Sequence, residues 1–301
     1  MQNHPVSSST IPSHVPQAYK EFLALVTDVR PELHRYCARM TGSIADGEDV
    51  VQDTLAKAFY ALAVLDELPA LRPWLFRVAH NAAIDFHRRL QRSPVESVAE
   101  LPEVPEGDED VDPETVRAAF ATFLALPPLQ RSVVILKDVV GHSGAEIAKT
   151  LGTTVPAVKA ALVRGRERLR LERGRAPVTP DEGAPAASPA LEEYVRLFNA
   201  RDWDGVRALL AEEVRLDLLS IAERRGKAVG LYFARYAAED VRLAVGTLQG
   251  RAVLWAFGPD SAERPMYFIE VERTPDGVTR IRDYRYVAYV ANELALAPHR
   301  L

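Results

Sequence analysis

Apolar residues recur at threes and fours near the start of the chain. Phe22, Leu25, Val26, Val29, Leu33, Tyr36 and Cys37 have the spacing of one helix face. Pro31 falls inside that run and lacks the N–H a helix needs, so two segments or one kinked helix are expected. Ser43 followed by Asp46 predicts a capped helix start, with Asp46, Glu48 and Asp49 in a first turn that favours negative charge. Val50, Val51, Leu55, Ala58, Phe59 and Leu62 then supply a core stripe. After a short loop over residues 65–70, a helix over 72–89 is expected to bury Trp74, Leu75, Val78, Ala82 and Phe86. Asn81 and Asp85 stand four apart and project from one side of that helix. Arg72, Arg77, Arg88, Arg89 and Arg92 surround them with positive charge.

The pattern breaks over residues 93–112, which hold three prolines and few large apolar residues, and a flexible linker is expected there. Helical periodicity returns over 113–126, 129–140, 144–151 and 155–173. Ser143 with Glu146 matches a capping box, and Thr154 suits an N-cap with Pro156 in the first turn. Residues 174–189, rich in Pro, Ala and Gly, read as a second linker. From 190 to 301 the period changes: helices over 191–199 and 204–211, a strand over 214–219, a helix over 226–236, then strands over 251–257, 266–272 and 278–289. Thr274-Pro-Asp-Gly277 is a turn signal between the last two. An α+β domain is expected, helices first and an antiparallel sheet after.

Composition narrows the class. The chain has 301 residues, 48% hydrophobic and 26% charged, as soluble multi-domain proteins do. It has neither an apolar run of membrane length nor a signal-peptide core, so no membrane partner is expected. Cys37 is the single cysteine, which excludes an internal disulfide and a Cys-based zinc site and suits a reducing, cytoplasmic setting. No cofactor and no metal are expected. The net charge of −5 hides segregation: residues 159–175 carry seven Lys/Arg against two Glu, whereas 93–114 carry nine Asp/Glu and no Lys or Arg. Local charge decides contact with a polyanion.

The second helical block reads as a helix-turn-helix. Ala145-Glu-Ile-Ala148 allows a close helix crossing, Gly152 opens the turn, and Val155, Val158 and Leu162 hold the second helix on the first. Thr153, Thr154 and Lys159 lie where base edges are reached, and Arg164, Arg166, Arg168 and Arg170 suit phosphates. Three motifs in order carry a family resemblance. They are Thr41-Gly-Ser-Ile-Ala-Asp-Gly-Glu-Asp-Val-Val-Gln-Asp53, Arg72-Pro-Trp-Leu-Phe-Arg-Val-Ala-His-Asn-Ala-Ala-Ile-Asp-Phe-His-Arg-Arg89 and Leu126-Pro-Pro-Leu-Gln-Arg-Ser-Val-Val-Ile-Leu-Lys-Asp138. The chain resembles an extracytoplasmic-function (ECF) sigma factor of bacterial RNA polymerase over residues 15–172.

That resemblance implies sigma region 2 over 17–92 and sigma region 4 over 113–173, both all-α. It implies binding of core RNA polymerase, at the β′ clamp helices through Asp46, Glu48, Asp49, Gln52 and Asp53, and at the β flap. It implies promoter contact at the minus-ten element through Asn81 and Asp85 with the loop over 65–70, supported by Arg77, Arg88 and Arg89. It also implies minus-thirty-five contact through Thr153, Thr154, Lys159, Arg164 and Arg166. Trp74 is expected in the core rather than as a base-stacking platform. Ala160-Ala161 departs from the Ser-Arg of many members, which implies weaker or different base readout.

Residues 190–301 resemble the cone-shaped SnoaL-like domain. The resemblance rests on Tyr194-Val-Arg-Leu-Phe-Asn-Ala-Arg-Asp-Trp-Asp-Gly-Val-Arg-Ala-Leu-Leu210 and Ile281-Arg-Asp-Tyr-Arg-Tyr-Val287. It implies an internal regulatory domain that contacts the sigma domains, with a small ligand in a pocket lined by Trp255, Tyr284 and Tyr286. Two other readings stand beside this one: a stand-alone helix-turn-helix regulator, and a SnoaL-like enzyme, with Asp217, Glu270 or Asp283 as its acid or base, fused to a DNA-binding module. No catalytic residue is assigned, and the reading is non-enzymatic.

Overall fold

Pro31 does not break the first run. Residues Val15–Thr41 form one helix, α1, with Pro31 inside it. Phe22 and Val29 on one side of the proline and Leu33, Tyr36, Cys37 and Met40 on the other are all buried. Packing along both halves outweighs the missing backbone bond. The structure is a computed structural model, described over residues 15–65, 69–90, 115, 118–174, 188–219, 222–259, 264–294 and 299–300. The linkers expected over 93–112 and 174–189, and the centre of the loop over 65–70, lie largely outside the described residues.

Two compact units emerge, one containing residues 1–116 and 121–172 and the other residues 117–120 and 173–301. In the first, α2 (Ile44–Leu62) starts at the expected cap, with the Asp46 N–H donating to Ser43 Oγ at 3.3 Å. Gly47 lets α2 press onto α1, since a Cβ there would lie 2.5 Å from Ala38 Cα. Phe59, expected in the core stripe, is 41% exposed. The next helix, α3 (Leu71–Leu90), buries Leu75, Phe76, Ala79, Ala82 and Ala83. The buried stripe is therefore rotated from the expected one, and Trp74, Val78 and Phe86 are half-buried at its edges.

After a 3-10 segment (Phe120–Ala125), α4 (Pro128–Val134) runs into a π-helical stretch (Ile135–Val140) that ends at Gly141, φ +90°. The helix-turn-helix forms as expected from α5 (Gly144–Leu151) and α6 (Val155–Gly174). Ser143 and Glu146 make the full capping box, and Gly152 adopts the left-handed conformation, φ +66°. The Ala157 N–H donates to Thr154 Oγ1 at 3.3 Å, the expected N-cap. Gly165 allows α6 to lie against α4, because a Cβ there would come within 2.5 Å of Val134.

Both helical blocks thus belong to one unit, and polar groups join them. Arg131 is buried, with Nη1 donating to Met40 O at 2.9 Å and Nη2 donating to Leu124 O and Leu126 O at 3.1 and 3.0 Å. His87 Nε2 lies 2.8 Å from Arg131 Nη1 and 2.6 Å from Met40 O. The Tyr36 hydroxyl donates to Ser132 Oγ at 3.2 Å, and both oxygens lie 3.0 Å from His80 Nδ1.

The second unit begins with α7 (Pro189–Asn199) and α8 (Trp203–Ala208), the latter capped by Asp202 through the Gly205 N–H at 2.8 Å. Its strands are β1 (Leu210–Leu218), β2 (Ala222–Arg225), β3 (Arg242–Leu248), β4 (Arg251–Phe257), β5 (Tyr267–Thr274), β6 (Gly277–Asp283) and β7 (His299–Arg300). Helix α9 (Gly230–Ala237) precedes β3, and α10 (Ala288–Leu294) follows β6. Strand order is β2-β1-β6-β5-β4-β3-β7. The α+β class holds, but the sheet is mixed: β1 pairs parallel with β6, with Leu216 opposite Ile281. Its other edge is taken by β2, so a later strand closes the sheet from the free side. Phe198, Phe233, Tyr236, Leu216 and Ile281 belong to the core cluster that joins helices to sheet. Asn199 pins α7 to β3 by donating to Leu243 O and accepting the Leu243 N–H, both at 2.8 Å.

Arg131→Met is expected to destabilise the first unit by about 3 kcal/mol, because buried carbonyls lose their donor. Urea unfolding of the full chain measures this, and an unchanged midpoint would contradict it. Burial also holds His80 and His87 below the usual imidazole range. The folded chain then binds fewer protons than the unfolded one, so this stability is complete above about pH 6.5 and is lost as pH falls below it. His80→Gln is expected to flatten the dependence of the urea midpoint on pH over that window.

Candidate nucleic-acid and polymerase interface

Asn81 and Asp85 are both exposed on α3, one turn apart. Asp85 lies 3.6 Å from Arg88, which shares the exposed last turn with Arg89. Cations there complement the helix C-terminus. Across from them, α2 forms the other wall of an open groove of about 590 Å³. Asp49, Gln52 and Asp53 line one side and Phe86, Arg89 and Leu90 the other. Asp53 pairs with Lys57 at 3.0 Å, and Lys57, Asp85, Arg88 and Arg89 surround a second hollow. The structure thus brings residues expected at two separate contacts onto one continuous surface of α2 and α3.

Three expected contact residues are placed elsewhere. Glu48 has no exposed side-chain surface and pairs with Arg30 of α1 at 2.5 Å, so it locks α2 to α1 and offers no docking charge. Arg166 turns inward from α6 and binds Asp138 through two bonds, Nε–Oδ2 at 3.0 Å and Nη2–Oδ1 at 2.5 Å. That bidentate pair is structural in this state and leaves Arg166 no free fork for a phosphate. Arg77 reaches from α3 to the C-terminal turn of α5, donating to Thr150 O at 3.1 Å and Lys149 O at 2.5 Å. It caps the negative end of the first helix of the helix-turn-helix. Asp46 is half-buried at the start of α2.

On the helix-turn-helix, Thr154 and Lys159 are exposed, while Thr153 and Arg164 are half-buried. Thr154 already uses its hydroxyl as the α6 cap. Ala160 and Ala161 are buried, so those positions present nothing to a base edge in this structure. The sequence expectations gave His80, Arg131 and Ser132 no individual role, and Tyr36 only a place on the apolar face of α1. The available signal was an arginine inside the apolar run from Leu129 to Val140.

In the second unit the acids considered for catalysis are each engaged. Asp217 pairs with Arg215 at 2.7 Å and Arg280 at 2.6 Å. Glu270 accepts from Arg282 at 3.0 Å and from the Tyr284 hydroxyl at 2.9 Å. Asp283 is fully buried, and its Oδ2 accepts the hydroxyls of Tyr232 and Tyr236, each at 2.8 Å. Burial pushes its carboxyl above the usual range, opposed by these donors and the Arg285 N–H. Among the described residues no His/Cys/Asp/Glu group is arranged to hold a metal, and no helix is long and apolar enough to cross a membrane.

Comparison with known proteins places these elements. The Sigma-70 region 2 family matches residues 25–93 and the Sigma-70 region 4 family matches residues 117–169. The chain is 34% identical over 155 residues to the ECF RNA polymerase sigma factor SigL of Mycobacterium tuberculosis, covering 49% of this chain and 86% of SigL. The chain belongs to the ECF RNA polymerase sigma factors. It is also 34% identical over 225 residues to SigG of the same organism, covering 64% of this chain but 60% of SigG's length. Among solved structures it is similar to the M. tuberculosis ECF sigma factor SigJ, at 20% identity, TM-score 0.35, covering 88% of this chain and 98% of that one.

For an ECF sigma factor, the Arg77 contact is a tie between the region 2 and region 4 helices. Arg77→Ala is expected to speed amide exchange in the C-terminal turn of α5, by about 1 kcal/mol of lost protection. Hydrogen exchange on the full chain checks this. Unchanged protection would mean that the contact contributes nothing to the packing of α3 on α5.

Proposed function

We propose that this chain is a cytoplasmic promoter-specificity subunit that binds core RNA polymerase, opens promoter DNA and performs no chemistry of its own. The shared surface of α2 and α3 carries this reading. Acidic and amide side chains at Asp49, Gln52 and Asp53 suit a charged protein groove, whereas Asn81, Arg88 and Arg89 suit unstacked bases and their phosphates. Asp46 contributes from the margin, and Glu48 supports the surface from beneath through Arg30. A stand-alone helix-turn-helix regulator has no need of that surface.

In this reading the helix-turn-helix separates from region 2 when promoter DNA binds. Arg77 would then exchange the Lys149 and Thr150 carbonyls for phosphates, while Thr153, Thr154, Lys159 and Arg164 approach the minus-thirty-five element. The second unit acts as a SnoaL-like control domain that contacts the sigma helices and shifts this equilibrium.

In-vitro transcription with core polymerase tests the assignment, on the full chain and on a chain lacking residues 176–301. Promoter-dependent transcript is expected, with output altered by the truncation. Asn81→Ala is expected to lower open-complex formation about tenfold or more, as loss of one base contact does, with polymerase binding nearly unchanged. A fall in polymerase binding instead would reassign Asn81 to the docking surface.

A further inference from the structure

The seam between the two helical blocks of the first unit carries three of the chain's seven histidines. His80 and His87 reach it from α3 in region 2, and His142 from the turn before α5 in region 4. Each meets a group of the other block. His80 Nδ1 lies 3.0 Å from Ser132 Oγ, His87 Nε2 lies 2.8 Å from Arg131 Nη1, and the His142 ring stands edge-on to Phe76 at 4.7 Å.

His87 faces the least tolerant neighbour. Arg131 is always charged, and its Nη1 can only donate. A neutral imidazole fits beside it in either tautomer, accepting from Arg131 or donating to Met40 O at 2.6 Å. An imidazolium instead sets a second positive charge against the guanidinium and competes with it for the same carbonyl. Burial opposes that cation most and Arg131 of α4 adds to it, against Met40 O of α1 and Asp46 of α2. The ring is therefore held below the usual imidazole range.

The other two rings are no freer to charge. His142 Nδ1 is buried with no hydrogen-bond partner among the described residues, so a proton added there would have no acceptor. Burial holds this ring low together with Arg72 of α3, against Glu146 of α5 and Glu32 of α1. Burial also holds His80 low, between the Tyr36 hydroxyl of α1 and Ser132 of α4. The buried ion pairs Arg30–Glu48 and Asp138–Arg166 each lie within one block, so neither is broken when the blocks part.

We propose that these imidazoles form an acid-sensitive latch between region 2 and region 4: neutral rings let the blocks pack, and protonation, of His87 beside Arg131 above all, parts them. In water a histidine titrates near about pH 6.5, so the parted state binds protons more readily than the closed one. The latch is therefore closed above about pH 6.5 and loosens as pH falls below it. Parting takes the Lys149 and Thr150 carbonyls away from Arg77 and returns its fork to solvent. The blocks separate at acid pH whether or not promoter DNA uses that freed fork.

Energy transfer between dyes on Ala63→Cys, at the exposed end of α2, and Glu167→Cys, on the exposed face of α6, reads the latch in single full-length molecules. Cys37 is buried and stays unlabelled. The ratio of parted to closed molecules is expected to rise about tenfold or more from pH 7.5 to pH 5.5 as the three rings take up protons, with the far-ultraviolet circular dichroism kept. His87→Gln keeps a polar group beside Arg131 but takes up no proton, and is expected to reduce that rise by about threefold or more. An unchanged ratio, a rise that comes with loss of the helix signal, or a full rise in His87→Gln would each overturn the proposal.

Discussion

One guanidinium organises the first unit. Arg131 enters an apolar interior in which the last turn of α1 and the end of the 3-10 segment both leave carbonyls without helical partners. Helix termini always present such orphans, and a buried orphan is costly. An arginine has enough donors in one plane to serve Met40, Leu124 and Leu126 together. Leucine in its place would pack but leave the carbonyls unpaired, and lysine would put a point charge where a fork is needed. The Tyr36–His80–Ser132 cluster and the His142–Phe76 contact lie on the same seam, so both helical blocks settle into one unit.

That seam explains how the charged residues of the helices divide. Glu48, Asp138 and Arg166 are consumed in two ion pairs inside the unit, Arg30–Glu48 and Asp138–Arg166. Each pair is bonded well enough to make burial of its acid tolerable. Asn81, Asp85, Arg88, Arg89 and Lys159 remain outward. A residue therefore belongs to the candidate surface when the packing leaves its side chain exposed, and its charge alone does not tell.

This is also where sequence reading stops. Caps and turns were legible because their chemistry is local: Ser43, Ser143 with Glu146, Gly152 and Thr154 all act within a few residues. Helix α3 was legible as a helix, yet its stripe was misread because two aromatic residues, Trp74 and Phe76, competed for the core and tertiary packing chose Phe76. Glu48 and Arg166 were read as surface because their partners lie 18 and 28 residues away. In the second unit β4 was placed correctly from its apolar run. Strand β3, with Gly246 and little alternation, was missed, and the parallel β1–β6 pairing depends on a contact spanning most of the unit.

The remaining tension lies in Arg77. On α3 it sits one turn before Asn81, where a phosphate contact is natural, but in this structure its donors close the C-terminal turn of α5. Its Nε and one Nη are spent on those carbonyls, so in the proposed reading a nucleic-acid backbone would compete with the packing of region 4 on region 2 for the bidentate edge of this group. Polyanion contact is strongly salt-dependent, whereas a semi-buried bond to a helix terminus is much less so. Rising salt therefore shifts Arg77 toward the helix terminus. In that reading the competition is built into a single side chain.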